Sequence, residues 1–313
     1  MSSVRWPLLY SSPPSSQSTN VGRQFTKQLH CSLFPSNQLT CSLRIRRSAT
    51  LRHHASFKIF CKRSKTTQEN GLSHGFSVLQ GDSPWQGGNL WSTLAFYIFC
   101  LHIPLGFGGL SVVTQIIGKN SLLPQTKILA ILLIQILELN GAFLLLKYTA
   151  KPQYKLSSFF KNNSSVETRN WVLASAVGFG VLVLLLFLTS LIASRLFGSK
   201  PVNNSILKEI LLSSDVSRVA CDIVYCIVCP LLEEVVWRGF LLTSLSSTME
   251  WPQAVALSSA IFSACHFSAE SFVQLFIIGC VLGCSYCWTG NLKSPVLIHS
   301  LYNALTLIIS YLY

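Results

Sequence analysis

The apolar residues of this chain are gathered into long runs that begin near residue 90 and continue to the C-terminus. Several approach the roughly twenty residues that a helix needs to cross the hydrocarbon core of a membrane, whereas the later ones are shorter or interrupted by polar residues. The runs lie at 91–117, 128–146, 171–193, 219–247, 252–267, 272–288 and 295–313. This pattern predicts an all-α fold, a polytopic membrane helix bundle of about seven transmembrane helices.

The segments between and before these runs have their own patterns. In residues 203–218, Ile206, Ile210 and Leu211 lie on one side of a predicted helix and the charged residues lie elsewhere, as in an amphipathic helix at a membrane interface. Residues 62–88 are polar and rich in glycine, which predicts a linker. We therefore divide the chain into a polar linker at 62–88 and a transmembrane bundle at 89–313.

Composition supports a membrane protein and removes one class of function. Charged residues make up 11% of the chain and the mean hydropathy is +0.46, whereas soluble domains have roughly 25% charged residues. The net charge of +13 comes mainly from residues 1–68, which hold eleven basic residues and no acid. Thirteen basic and eleven acidic residues remain in the rest of the chain. That near-neutral body has no basic stripe for phosphates, so we expect no nucleic-acid partner.

The first 61 residues have the composition of an organellar transit peptide. They are rich in Ser, Thr and Arg, lack acids, and contain no apolar run long enough for a secretory signal. The Ser-rich opening favours a plastid over a mitochondrion, and Ile59-Phe60-Cys61 resembles the residues before a plastid cleavage site. The alternative is a basic tail on a membrane protein of the secretory pathway. We expect a multi-pass protein of a chloroplast membrane, either thylakoid or inner envelope.

Eleven cysteines are present, and two pairs, Cys226 with Cys229 and Cys284 with Cys287, have CxxC spacing. Because both pairs lie in predicted membrane helices, we expect small apolar side chains there rather than a redox or metal site.

Ionisable residues within membrane helices are costly, so their default interpretation is functional. The clearest set is Glu233, Glu234 and Arg238. On a helix, Glu234 and Arg238 face the same way and can form an ion pair, whereas Glu233 points about 100° away. An unpaired carboxylate in an apolar setting suits general base catalysis. The alternative is a solvated pair of acids at a helix end.

Two later runs carry further polar residues. His266 follows Phe262 by one turn near the end of its run, and His299 and Asn303 share a helix face in the last run. The last pair can present an imidazole and an amide to one point, as an oxyanion site requires. Taken alone, each of these residues is equally compatible with a hydrogen bond between helices. Their occurrence on three successive runs favours a shared site.

Three other polar positions have plainer interpretations. Glu138 has no obvious partner nearby in sequence, and two interpretations stay open: it lines the cavity, or it packs against a polar group of another helix. We expect His102 to form a hydrogen bond within the bundle. Asp222 follows Arg218 by four residues, which predicts an ion pair on one helix face.

The three motifs together resemble the CPBP family, which comprises CaaX prenyl endopeptidases and bacteriocin-processing intramembrane proteases. They are Glu-Glu-x-x-x-Arg at 233–238, Phe-x-x-x-His at 262–266 and His-x-x-x-Asn at 299–303, with Thr-Gly-Asn-Leu at 289–292 preceding the last. The resemblance covers a protease-like core at 219–313 and, with the transit peptide, indicates a plant plastid-type member.

The resemblance implies roles for the motif residues. Glu233 and His266 would activate a water for attack on a peptide carbonyl, and His299 with Asn303 would stabilise the oxyanion. Glu234 and Arg238 would hold the site in shape. We expect no cofactor. Glu233, His266 and His299 remain an alternative zinc ligand set, because they form a two-histidine, one-carboxylate combination.

The predicted function is therefore an intramembrane endopeptidase that cleaves membrane-associated protein substrates within the lipid bilayer. An aqueous cavity among the helices is expected, because water must reach the site. One alternative is a non-proteolytic scaffold of the same fold that stabilises other proteins in plastid membranes. A transporter is disfavoured, because the polar groups cluster in one half of the chain and no inverted repeat is visible.

Overall fold

The computed structural model describes residues 75–79, 83–85, 89–118, 122–160, 169–197 and 205–312. The predicted transit peptide at 1–61 lies outside these residues. Within them the chain forms eight helices and no strand, which confirms the predicted all-α bundle. The helices are α1 (Leu90–Ile117), α2 (Pro124–Thr149), α3 (Trp171–Phe197), α4 (Ser205–Ser213), α5 (215–246), α6 (Trp251–Ala264), α7 (Phe272–Thr289) and α8 (Lys293–Leu312).

Five of these helices, α1, α2, α3, α7 and α8, are long and apolar enough to cross a membrane. Helix α3 is the most exposed of them, and it presents Leu184, Phe187 and Leu196 on its surface. In a lipid bilayer such residues need no protein partner. The chain is thus a multi-pass membrane protein, although the predicted number of seven spans is not established by these five.

Helix α5 carries the first motif and is not a regular α-helix throughout. Its turns widen to π geometry at Val224–Val228 and again at Val235–Leu242. Pro230 has no N–H to donate to the carbonyl four residues earlier, which accounts for the first wide segment. Such segments release carbonyls from the regular hydrogen-bond ladder. Asn303 accordingly donates to the carbonyl of Tyr225, and Ser258 donates to that of Trp237.

Helix α1 shows the same response to proline. The sequence places Pro104 and several glycines within the first run, and the helix continues through them with wide turns at Tyr97–Gly108. Residues on this part of α1 therefore point in directions that a regular helical period does not predict.

The predicted amphipathic helix at 203–218 is two helices rather than one. Ser214 ends the first and caps the second, since its hydroxyl accepts a hydrogen bond from the backbone N–H of Ser217. Arg218 then pairs with Asp215 at the start of α5, so the predicted pairing with Asp222 is wrong. In α4, Ile210 is buried as expected.

A second difference from the expected amphipathic face is Ile206, which is exposed. Leu207 takes its place in the core with Leu211, because the helix is rotated relative to the predicted face.

The main core lies where α5, α6 and α7 pack together, with α3 and α8 against them. Close approach of α6 and α7 depends on Gly279, whose position leaves room for Ser259. Parts of the predicted linker join this core: Trp85 is buried against Phe159 and Phe240. The boundary of the linker itself stays a prediction.

Candidate active site

The centre of the bundle contains a buried ion pair on α5. Arg238 Nη1 donates to Glu234 Oε1 at 2.9 Å, and both side chains are at most 1% exposed. The predicted pairing of these residues is thereby confirmed. Each charge of this buried pair stabilises the other, because an isolated buried charge is very unfavourable.

Arg238 also joins three helices. Its Nη2 donates to the carbonyl of Gly279 on α7 at 3.3 Å, and its guanidinium lies 4.7 Å from the centre of the Phe262 ring on α6. The ion pair therefore fixes the position of α6 and α7 relative to α5.

His299, on α8, lies between the two glutamates of the first motif. Its Nδ1 is 2.9 Å from Glu234 Oε1 and its Nε2 is 3.8 Å from Glu233 Oε2. Because Glu234 is a carboxylate paired with Arg238, the Nδ1 atom is the donor. Glu234 thus orients the imidazole so that Nε2 faces Glu233.

His266 follows the last residue of α6 by two positions. Its Nδ1 is 2.8 Å from the carbonyl of Phe262, and the two rings pack edge to face with centroids 4.6 Å apart. The ring is close enough to Glu233 for their charges to interact. Since Nδ1 is engaged by the backbone, Nε2 is left for chemistry.

Asn303 lies one turn beyond His299 on α8 and is 1% exposed. Its Nδ2 donates to the carbonyl of Tyr225 at 2.7 Å, whereas its Oδ1 has no hydrogen-bond partner among the described residues. An amide nitrogen carries two hydrogens, so one remains for another acceptor. The structure therefore ties the amide to α5, which the sequence did not predict.

Glu233 occupies the middle of this arrangement. Its side chain is 17% exposed, and in the part of the chain that the structure describes, it makes no hydrogen bond to protein. His299 is its nearest ion-pairing group, at 3.8 Å, and Arg238 and His266 lie within its electrostatic field. A carboxylate in this position can accept a proton from a water molecule bound beside it.

Residues from the first two helices border the site, and the sequence did not assign them to it. Glu138 accepts hydrogen bonds from Tyr97 Oη at 2.9 Å and from Gln135 Nε2 at 3.4 Å, and it lies 2.9 Å from His102 Nδ1. His102 thus makes the hydrogen bond within the bundle that its position predicted. Tyr97 and His102 are near enough to interact with Glu233.

The geometry supports one feature of the zinc alternative and contradicts another. In both His266 and His299, Nδ1 is held by an oxygen acceptor and Nε2 is left open, as is usual for histidines that bind metals. However, no three His, Cys, Asp or Glu side chains within the described ranges lie close enough to hold a metal ion. The three residues therefore do not form a metal site in this arrangement, and we derive no step through a metal.

A separate cavity of about 890 Å³ lies between α3 and α7. Its lining is mainly apolar, with Arg169 and Trp288 at one end, and none of the six motif residues contributes to it. It is not the aqueous cavity expected at the site, which stays a prediction.

Comparison with known proteins supports the motif assignment. Residues 216–305 match a family described as "Type II CAAX prenyl endopeptidase Rce1-like". The match contains all three motifs and confirms the resemblance to the CPBP family over that segment. No curated protein and no solved structure matches the chain. The matched residues are those of α5 to α8 that converge on Glu233.

Proposed function

We propose that this chain, which carries a type II CAAX prenyl endopeptidase-like segment at 216–305, is an intramembrane endopeptidase acting on membrane-associated proteins. One observation carries the proposal. Glu233 makes no hydrogen bond to the described protein, yet it lies 3.8 Å from His299 and within electrostatic range of His266. A partly buried carboxylate beside an imidazole is suited to activating a water.

In the proposed reaction, water attacks the carbonyl carbon of the scissile peptide bond. A carbon–oxygen bond forms, the proton of the water passes to Glu233, and the carbonyl electrons move to the oxygen. The resulting oxyanion collapses, the carbon–nitrogen bond breaks, and Glu233 returns its proton to the leaving amine. His266 holds the water in line through its free Nε2.

The oxyanion is stabilised from α8. Because Nδ1 of His299 donates to Glu234, donation from Nε2 to the oxyanion requires a ring that carries both protons. Asn303 contributes the amide hydrogen that is not used by Tyr225. Hydrogen bonds to the oxyanion are strongest where solvent is excluded. His299 is only 4% exposed.

Glu234 and Arg238 position the other groups rather than react. Glu234 orients His299, and Arg238 links α5 to Gly279 and to the Phe262 ring that packs on His266. Removing either charge would leave the other buried without its counter-ion.

The substrate class follows from the location of the site within a membrane bundle. We propose a chloroplast membrane, either thylakoid or inner envelope, and a substrate that is a protein of that membrane. Such a location separates the chain from prenylated cytosolic proteins, so we do not extend CaaX processing to it.

Complementation of cells that lack the protein tests the proposal. Glu233→Ala and His266→Ala should both fail to restore the lost function, whereas Glu250→Gln, which changes an exposed glutamate that makes no capping bond, should restore it. Full rescue by both site variants would rule out the protease and leave the scaffold. Cleavage that persists after metal chelation but is lost in Glu233→Gln would identify a metal-free mechanism.

A further inference from the structure

The first two membrane helices contain a buried polar cluster that the three motifs do not include. Its centre is Glu138 on α2, which is 1% exposed. Tyr97 and His102 on α1 approach its Oε1 at 2.9 Å each, and Gln135 approaches its Oε2 at 3.4 Å. A carboxylate is costly to bury in a membrane helix, and this one is surrounded by three polar side chains. Both features favour a specific role for it.

The imidazole of His102 extends from this cluster to the turn after α6. Besides its contact with Glu138, the ring of His102 lies beside the backbone of Cys265. Cys265 directly precedes His266. The ring of His102 therefore connects the carboxylate on α2 to the segment that holds a proposed catalytic side chain.

A second contact from α1 reaches the other side of the same turn. Phe107 packs edge to face against Phe267, with ring centroids 5.2 Å apart, and against His102 at 5.9 Å. Residues on both sides of His266 are thus held by α1.

The turn itself has a conformation that needs support. Phe267 has φ 49°, and it is the one non-glycine residue with positive φ in the described ranges. Residues other than glycine adopt this left-handed backbone conformation at an energetic cost. They do so where contacts with neighbouring residues stabilise it. The Phe107 ring supplies one such contact on an otherwise exposed residue.

We infer that His102 and Glu138 are positioning residues for His266. Glu138 fixes the ring of His102, and that ring lies beside the backbone of Cys265 and packs against Phe107. Phe107 in turn packs against Phe267, and the turn then directs His266 toward Glu233. The inference rests on the proposed function for the role of His266, but the structural link between His102 and the turn does not. Tyr97 supports the arrangement by its own hydrogen bond to Glu138.

Kinetics on the full-length protein test the positioning role, with a peptide spanning a cleavage site mapped for the wild type. His102→Ala and Glu138→Ala should lower kcat about tenfold to a hundredfold, since displacement by about 1 Å has effects of that size, with KM unchanged within about twofold. Glu138→Gln, which keeps an acceptor oxygen for His102, should lower kcat by a smaller factor than Glu138→Ala. Asn140→Ala is the matched control, because its exposed side chain bonds only to its own helix.

A double variant separates positioning from general destabilisation. In a His266→Ala background, His102→Ala should cause no further loss of kcat, because it acts through the missing imidazole. A loss as large as that in the wild-type background would overturn the inference.

Hydrogen exchange provides a readout that does not depend on activity. The backbone amides of Cys265, His266 and Phe267 bond to the end of α6, and they should exchange faster in His102→Ala and Glu138→Ala than in Asn140→Ala. Unchanged exchange in this turn would overturn the inference. If Glu233→Gln cleaved as well as the wild type, the proposed function would fail, and the exchange data would still decide whether His102 holds the turn.

Discussion

Gly279 of α7 packs directly against Ser259 of α6, and its replacement by alanine gives a sharp test of the packing around the site. A Cβ at Gly279 would lie 2.8 Å from Ser259 Cβ and 3.0 Å from Ser259 Cα. Ordinary contacts begin near 3.4 Å, so the helices must separate by about 0.6 Å to restore an ordinary contact. The obstacle includes backbone, which a side-chain rotation cannot remove.

We expect Gly279→Ala to cost about 1–3 kcal/mol of folding free energy, the range for overpacking a core. This corresponds to a decrease in the thermal unfolding midpoint of roughly 2–12 °C. Activity should also fall, because the carbonyl of Gly279 accepts a hydrogen bond from Arg238. The assay is thermal unfolding of purified protein in detergent, monitored by circular dichroism.

Gly180→Ala is the matched control. Gly180 lies in the exposed part of α3, and an added Cβ there meets no atom within 4 Å. Alanine favours helix over glycine by up to about 1 kcal/mol, so this variant should be at least as stable as the wild type. Equal midpoints for Gly279→Ala and Gly180→Ala would refute the close packing of α6 on α7.

Two further predictions concern the ion pair and the N-terminus. Arg238→Met should cost about 3–5 kcal/mol of folding free energy, because the buried Glu234 loses its cationic partner and keeps only the hydrogen bond from His299. The double variant Glu234→Leu with Arg238→Met should unfold at a higher temperature than Arg238→Met alone; additive losses in thermal unfolding would contradict a coupled pair. Residues 1–70 fused to a fluorescent protein should direct it into chloroplasts, and secretory or cytosolic fluorescence would contradict the import signal.

The sequence predicted the parts of the site that depend on local geometry. Glu234 and Arg238 are four residues apart on one helix, so their pairing follows from the helical period. The seven apolar runs each correspond to a helix for the same reason, since hydrophobic length and periodicity are local properties.

Contacts between distant helices could not be predicted in this way. Glu138 is 41 residues from Tyr97 and 36 from His102, and a single sequence contains no signal that joins such positions. The hydrogen bond from Asn303 to the carbonyl of Tyr225 could not be predicted either. That carbonyl lies in a wide-turn segment, which helical periodicity does not show.

The choice of partner for Arg218 shows the limit of local rules. Asp215 and Asp222 stand three residues before and four residues after it, and both spacings allow an ion pair. The capping of α5 by Ser214 places Asp215 in the first turn, and the pair forms there. Identifying that helix boundary was necessary to choose between the two acids.

The most direct test of the central claim is comparative mapping of new protein N-termini in chloroplast membranes. Membranes containing the wild-type protein or Glu250→Gln should share a set of cleaved N-termini that is absent with Glu233→Gln and with His266→Ala. The same set of termini in all four samples would contradict the assignment of Glu233 as the group that activates water.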